Sequence, residues 1–185
     1  MHRGLSVFNR APAASATSWL LACCTSLAWA ERVSAHRPYP TPDALLAAAD
    51  EAAYDLAPAQ LAAALAAERP HGPHPSGVPA AARTALDAAH AAYESRFGHV
   101  FVIALEAYRS EEHLDQTLSG LRARLANDAE EERVVAADEL RRVARARLTR
   151  LVSGIGGQPT DQARKPEKSG EFPDSGPSDS PYVPV

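Results

Sequence analysis

The sequence predicts an all-α fold, a single-domain helical bundle with one extended core segment. Alanine dominates the apolar residues, and alanine is the best helix former. Apolar residues recur at steps of three and four through most of the chain, which is the spacing of one helix face. Breaks rich in proline and glycine separate these stretches. Because 45% of the 185 residues are hydrophobic, the chain has enough apolar surface for one buried core.

The N-terminal part is predicted to hold a flexible start and a series of helices. Residues 1–12 are predicted to be flexible, and the helical domain is predicted to span residues 13–153. A first helical stretch, in one or two pieces, ends before residues 37–40, because proline disfavours helix in the residue before it. Thr41 or Asp43 can cap the next helix, and a further helix restarts near Pro58.

The middle of the chain contains two stretches that are not predicted to be helical, one on each side of a helix. Residues 69–79 contain four prolines and two glycines, so we predict a loop there. A helix follows from about Ala80 to Arg96, with Gly98 as its C-cap residue. Residues 100–105 are the one strand-like run, and since a lone strand has no partner we predict an extended core segment between helices.

Two more helices and a tail are predicted in the C-terminal part. One helix begins at Ser110, and Asp128 with Glu131 forms a capping-box pattern for the last helix, which ends near Val152. Its glutamates lie at the start and its arginines towards the end, which is typical of a solvated face that complements the helix dipole. From residue 154 to 185 large apolar residues nearly vanish, which predicts a disordered tail.

Charge and composition exclude several classes of function. A net charge of −4 argues against nucleic acid, since a phosphate binder needs a basic face. Cys23 and Cys24 are adjacent, and a disulfide between adjacent cysteines has strained geometry. The sequence contains no C-x-x-C pair, so nothing indicates a metal site built from thiols. No run reaches the ~20 apolar residues of a membrane span. The apolar stretch 19–30 imitates a secretory signal, but Thr25 and Ser26 interrupt it, so we predict a cytoplasmic protein.

Several short motifs, in order and with matching spacing, carry a family resemblance. Residues 93–103 read YESRFGHVFVI, and residues 124–128 read RLAND. WAERV and RPY occur upstream at residues 29–33 and 37–39, and VARARL occurs downstream at residues 143–148. Together they resemble the family of 2-oxo-4-hydroxy-4-carboxy-5-ureidoimidazoline (OHCU) decarboxylase, over about residues 20–152.

The resemblance implies a helical domain and a cofactor-independent decarboxylation in urate breakdown, with (S)-allantoin as the product. It places the active site near the F-G-x-x-F-V-I segment and implies neither a metal nor an organic cofactor. The family's acid-base residue is the histidine of an H-P-x-x-G motif. A glutamate or glutamine of an S-x-x-E-Q-type segment and an arginine just after F-V-I help to bind the substrate.

The sequence departs from the family pattern at these residues. Glu68 stands at the histidine's position when the chain is aligned on Gly72, whereas alignment on His74 places the glycine one residue early. The S-x-x-E-Q-type segment is missing, because the loop passes directly into residues 80–83. Glu106 takes the place of the arginine, and a carboxylate there would repel an anionic substrate.

Two interpretations stay open. In the first, the chain is a divergent decarboxylase that acts on a small ureido-imidazoline, alone or as a homodimer, without nucleic acid or membrane. In the second, it is a catalytically degenerate paralogue that serves as a binding or structural protein. For the enzyme, His71 and His74 are the candidate catalytic residues, since a free imidazole titrates near ~6.5. The candidate substrate-binding residues are Phe97, Gly98, Phe101, Val102, Ile103 and Arg109.

Overall fold

A computed structural model describes residues 3–68 and 79–155. In these ranges the chain forms eight α-helices and no strand, which confirms the predicted all-α class. One 3-10 turn, Ser110–Glu112, precedes the seventh helix. The helices are α1 Arg3–Arg10, α2 Ala13–Leu21, α3 Leu27–Ala35, α4 Pro42–Tyr54, α5 Pro58–Ala67, α6 Ala80–Phe97, α7 His113–Arg124 and α8 Ala129–Gly154.

The N-terminus differs from the prediction of a flexible segment. Helix α1 forms there, and Phe8 on its inner face is fully buried. Arg37 donates to the carbonyl oxygens of Phe8 and Ala11, each at 2.8 Å, and its guanidinium lies 5.4 Å from the Phe8 ring centroid. Asn9 and Tyr39 exchange two further hydrogen bonds of 2.8 and 3.0 Å. An isolated helix this short is marginal in water, so these distant contacts order it.

The predicted capping residues begin and end several helices. Thr41 accepts a hydrogen bond from the Ala44 amide and caps α4. Asp128 accepts from the amides of Glu130 and Glu131 at the start of α8. Gly98 ends α6 with a φ of +76°, a conformation that glycine adopts without strain.

The buried side chains form two clusters, with the extended segment between them. The larger cluster lies among α1 to α5 and the long helix α8, which packs against α1, α4 and α5. The smaller cluster lies between α6 and α7 and contains Leu86, Tyr93, Phe101 and Leu121. Phe101 belongs to the smaller cluster and Val102 to the larger one. Consecutive residues of the extended segment therefore join the two halves of the core.

Two predicted features fall largely outside the described residues. The loop that carries His71 and His74 is one of them, and the tail from residue 156 onward is the other. Helix α8 continues through Gly154, just beyond the predicted domain end at residue 153. Across residues 3–68 and 79–155, no helix is both long and apolar enough to cross a membrane.

Candidate functional site

The extended segment, residues 100–105, is held in place by side chains from α7 and α8. Arg124 of α7 donates through Nη1 to the carbonyl oxygen of Val102 at 2.5 Å. Glu139 of α8 accepts from the Ala104 amide at 2.7 Å. A turn follows, in which the Tyr108 amide donates to Leu105 at 3.0 Å. Charged side chains thus satisfy backbone groups that an isolated extended segment leaves unpaired.

Arg124 also sits at the centre of a buried polar network. Its Nη2 lies 2.5 Å from Oε1 of Glu132, and the same nitrogen is 3.0 Å from the Tyr93 hydroxyl. The Tyr93 hydroxyl donates to Glu132, and Asn127 donates to the other oxygen of that carboxylate at 2.9 Å. The Arg124 guanidinium lies 4.4 Å from the centroid of the Phe101 ring. Because Tyr93, Arg124 and Glu132 are buried and their polar groups satisfy one another, this network positions the segment.

A pocket of about 670 Å³ lies between helix α8 and the end of the extended segment with the turn that follows it. Three arginines and one glutamate of α8 meet one glutamate from the other side at its wall, so it suits a polar or anionic small molecule. Its charged lining residues are Glu106, Glu139, Arg142, Arg145 and Arg150, and its remaining lining residues are Ile103, Ala104, Ala107, Tyr108, Ala146 and Thr149.

The arginines of this pocket differ in how closely they are paired. Arg142 lies 2.5 Å from Asp138 and 2.8 Å from Glu139. Arg145 reaches Asp50 of α4 at 2.5 Å. The Arg150 guanidinium faces Glu106 across the pocket, with 3.4 Å between Nη1 and Oε1.

A second charged cluster lies at the C-terminal end of α5. Glu68 is buried, and Arg147 of α8 lies 3.0 Å from both of its carboxylate oxygens. Arg147 also donates to the Cys23 carbonyl at 3.2 Å. Burial raises the pKa of the Cys23 thiol to about 11 and also raises the pKa of the Cys24 thiol. Both thiols are thus protonated at neutral pH, and the ion pair fixes Glu68, the residue that follows α5, to α8.

The structure brings only part of the predicted site together. Ile103 lines the pocket, whereas Phe101 and Val102 are buried in the core and Phe97 packs against Tyr93 with ring centroids 4.8 Å apart. Gly98 serves as the helix end. Ile103 is thus the predicted residue that lines this pocket, and the substrate-binding role of the other four stays a prediction.

Arg109 lies away from the described pocket, and the two candidate histidines lie outside the described residues. Arg109 is exposed and pairs with Glu111 and Glu112, so it does not supply the pocket's positive charge. His71 and His74 are outside the described residues, so their predicted role stays a prediction.

Sequence reasoning missed the arginines that do line the pocket. Arg142, Arg145 and Arg150 were assigned to a solvated face of the last helix. Their steps of three and five residues place them near one side of α8. That spacing indicates a shared side of α8, but it does not show which other part of the chain packs against that side. No group of three or more histidines, cysteines or acidic residues that could hold a metal occurs in the part of the chain that the structure describes.

Comparison with known proteins assigns the family. The family model described as OHCU decarboxylase matches residues 9–72 and 74–149. The chain belongs to the OHCU decarboxylase family. The match spans most of the described helices and confirms the resemblance first carried by the short motifs.

Solved structures agree with the family's fold. The chain is similar to a crystal structure of (S)-allantoin synthase, with a TM-score of 0.64 and 20% identity over 80% of this chain. It is also similar to an OHCU decarboxylase crystallised in the presence of (S)-allantoin, with a TM-score of 0.64 and 23% identity over 74% of this chain and 98% of that one. The chain spans about half the length of the (S)-allantoin synthase, 53%. A comparison with curated protein sequences finds no match.

Proposed function

We propose that this chain is a cofactor-independent carboxy-lyase of urate breakdown, which converts OHCU to (S)-allantoin. Family membership over residues 9–72 and 74–149 is the observation that carries the proposal. The pocket beside the extended segment supports it, because an anionic ligand suits a lining that includes three arginines. The substrate is a small carboxylate, and no step of the reaction needs an electron donor or acceptor.

The chemistry assigns separate tasks to the two sides of the proposed site. The bond to the carboxylate breaks, CO2 departs, and the electron pair moves into the ring's carbonyl and imine system. Arginines of α8 stabilise the negative charge that develops there. A proton delivered to one face of the ring then sets the S configuration, and His71 or His74 donates it. Ile103 supplies an apolar contact at the pocket wall.

The stereochemistry of the product tests this proposal. Purified protein mixed with freshly generated substrate is expected to give optically active allantoin without added metal or cofactor. Uncatalysed decarboxylation in water gives a racemic product, so an excess of one allantoin enantiomer shows that the protein catalyses the reaction. Replacing His71 and His74 together by alanine is expected to remove that excess, since positioned acid-base catalysis contributes ~10²–10⁴-fold.

His36→Ala is the matched control for the histidine variant. His36 is exposed at the end of α3, where its ring bonds to the Arg32 carbonyl at 2.7 Å. This variant is expected to keep the optical excess. If excess persists in the His71/His74 double variant, another group is the acid, whereas a racemic product from the natural protein rejects the enzyme.

A non-catalytic binding protein is the second candidate function. It is favoured by the carboxylates at Glu68 and Glu106, which stand where the family resemblance expects a histidine and an arginine. Racemic allantoin formed at the uncatalysed rate by a protein that still binds the substrate would favour this candidate. The homodimer and the cytoplasmic location also stay proposals, and light scattering and cell fractionation test them.

A further inference from the structure

We propose that Arg150 binds the carboxylate of the pocket's ligand and that Glu106 competes with the ligand for this guanidinium. Glu106 thus acts as a built-in counter-anion that sets the pocket's affinity for anions. The ligand class, a cyclic urea that carries a carboxylate, rests on the proposed function. The electrostatic argument for Arg150 rests on the described contacts alone.

Arg150 is the most loosely paired of the three arginines that line the pocket. Arg142 and Arg145 each have a carboxylate oxygen at 2.5 Å. The contact between Arg150 and Glu106 is 3.4 Å, which is long for a charge-assisted hydrogen bond of ~2.7–2.9 Å. A ligand carboxylate can therefore replace Glu106 at Arg150 at less cost than it can replace either of the shorter pairs.

The solvent exposure of the Arg150 and Glu106 side chains also indicates that this pair is the one a ligand can open. The side chains of Arg150 and Glu106 are 63% and 39% exposed, so water screens their attraction strongly. Glu139, by contrast, is bound to the Ala104 amide as well as to Arg142, which ties it to the wall. Glu106 is thus the lining carboxylate that can turn away when an anion enters.

Movement of Glu106 away from Arg150 changes the charge that the pocket wall presents to a ligand. Three arginines and two glutamates line the pocket, so its nearly balanced charges leave a small positive excess. When Glu106 leaves Arg150, an unpaired guanidinium faces the cavity. Its planar fork can then hold a carboxylate through two parallel hydrogen bonds.

Orotate and uracil are the probes that test this proposal by calorimetry. Both contain a cyclic urea, and only orotate carries a carboxylate. The natural protein is expected to bind orotate more tightly than uracil, with affinity that falls as salt is added. Glu106→Gln removes the competing charge and is expected to tighten orotate binding several-fold. Arg150→Gln is expected to weaken it by about tenfold or more, because it removes the charge-assisted hydrogen bonds of the guanidinium. Arg150→Lys is expected to fall between Arg150→Gln and the natural protein.

Glu130→Gln and Arg133→Gln are the matched controls. These residues form an exposed glutamate–arginine pair on the same helix, and neither lines this pocket. The controls change net charge by the same amounts and are expected to leave orotate binding unchanged. Uracil binding is expected to be the same in all five variants.

Two results would overturn the proposal. One is orotate affinity in Arg150→Gln equal to that of the natural protein, with circular dichroism showing a folded variant. The other is no gain in Glu106→Gln, including the case in which neither protein binds orotate. Arg150-dependent binding of orotate by a protein that yields only racemic allantoin would uphold this inference and reject the proposed reaction.

Discussion

Arg124 and Glu132 form an ion pair, 2.5 Å between Nη2 and Oε1, whose side chains are only 8% and 1% exposed. Arg124 binds the extended segment through the Val102 carbonyl, and Glu132 receives hydrogen bonds from Tyr93 and Asn127. The pair therefore links α6, α7, α8 and the segment that borders the pocket. Removing one partner leaves the other charge buried, which is far more costly than removing both.

Arg124→Met is expected to lower the free energy of unfolding by about 3–5 kcal/mol, because the Glu132 carboxylate stays buried without its cation. Urea denaturation measures this loss. Arg133→Met is the control, since Arg133 forms a pair with Glu130 on the surface of α8 and its loss is expected to change the midpoint little. Equal, small effects of the two substitutions would contradict the structural role assigned to Arg124.

Tyr93 is expected to make stability depend on alkaline pH. Burial, and then its hydrogen bond to Glu132, raises the pKa of the Tyr93 hydroxyl far above its ordinary value of 10.0. The folded protein keeps this proton while the unfolded chain loses it near pH ~10, so stability falls as pH rises above that value. Tyr93→Phe is expected to make the fall in melting temperature between pH 9 and 11, about one unit either side of that value, less steep.

Tyr54→Phe is the control for this experiment, because the Tyr54 side chain lies on the surface with 71% of its area exposed. It is expected to leave the pH dependence as in the natural protein. Some alkaline loss is expected to persist in Tyr93→Phe, since burial also raises the pKa of Tyr39 to about 12. An unchanged slope in Tyr93→Phe would show that Tyr93 ionises equally in both states.

Arg147→Met is expected to destabilise the protein by about 1–3 kcal/mol, because the buried Glu68 carboxylate loses this cation. Adding Glu68→Gln to the same chain is expected to restore part of the loss. A double-mutant cycle followed by thermal unfolding gives the coupling energy. The exposed pair Arg32–Asp55, at 2.8 Å, provides the comparison cycle and is expected to show weaker coupling. Equal coupling in both cycles would contradict the importance of the buried pair.

Gly120→Ala is expected to destabilise the protein by about 1 kcal/mol, although alanine favours helix α7. A methyl group there would lie 3.2 Å from Cζ of Phe101 and 3.3 Å from Cδ1 of Ile103. Phe101 is fully buried beside Tyr93 and Arg124, so its ring has little room to move. Gly154→Ala is the control, since nothing lies within 4 Å of its added carbon. A more stable Gly120→Ala variant would show that the side chains of Phe101 and Ile103 move aside at little cost.

Much of the helical framework could be predicted from neighbouring residues. Thr41 caps α4, Asp128 and Glu131 begin α8, and Gly98 ends α6, each through contacts within a few positions of the chain. The lone strand-like run at 100–105 was correctly predicted to be extended without forming a sheet. The family, too, followed from motifs that are continuous in sequence.

Long-range contacts account for what the sequence analysis missed. Helix α1 depends on Arg37 and Tyr39, about 30 residues away, so its own sequence gave no sufficient reason for order.

The sequence by itself determined the helical class, several helix ends and the family, because caps, prolines and apolar spacing act over one or two turns. Only the tertiary structure decided which charges meet. Glu106 and Arg150 are 44 positions apart, and Glu68 and Arg147 are 79 apart. Such pairs form only after packing fixes which side of α8 faces Glu106 and which faces Glu68. Ion pairing at these distances along the chain is a consequence of the fold, since a charge's sign and spacing do not specify its partner.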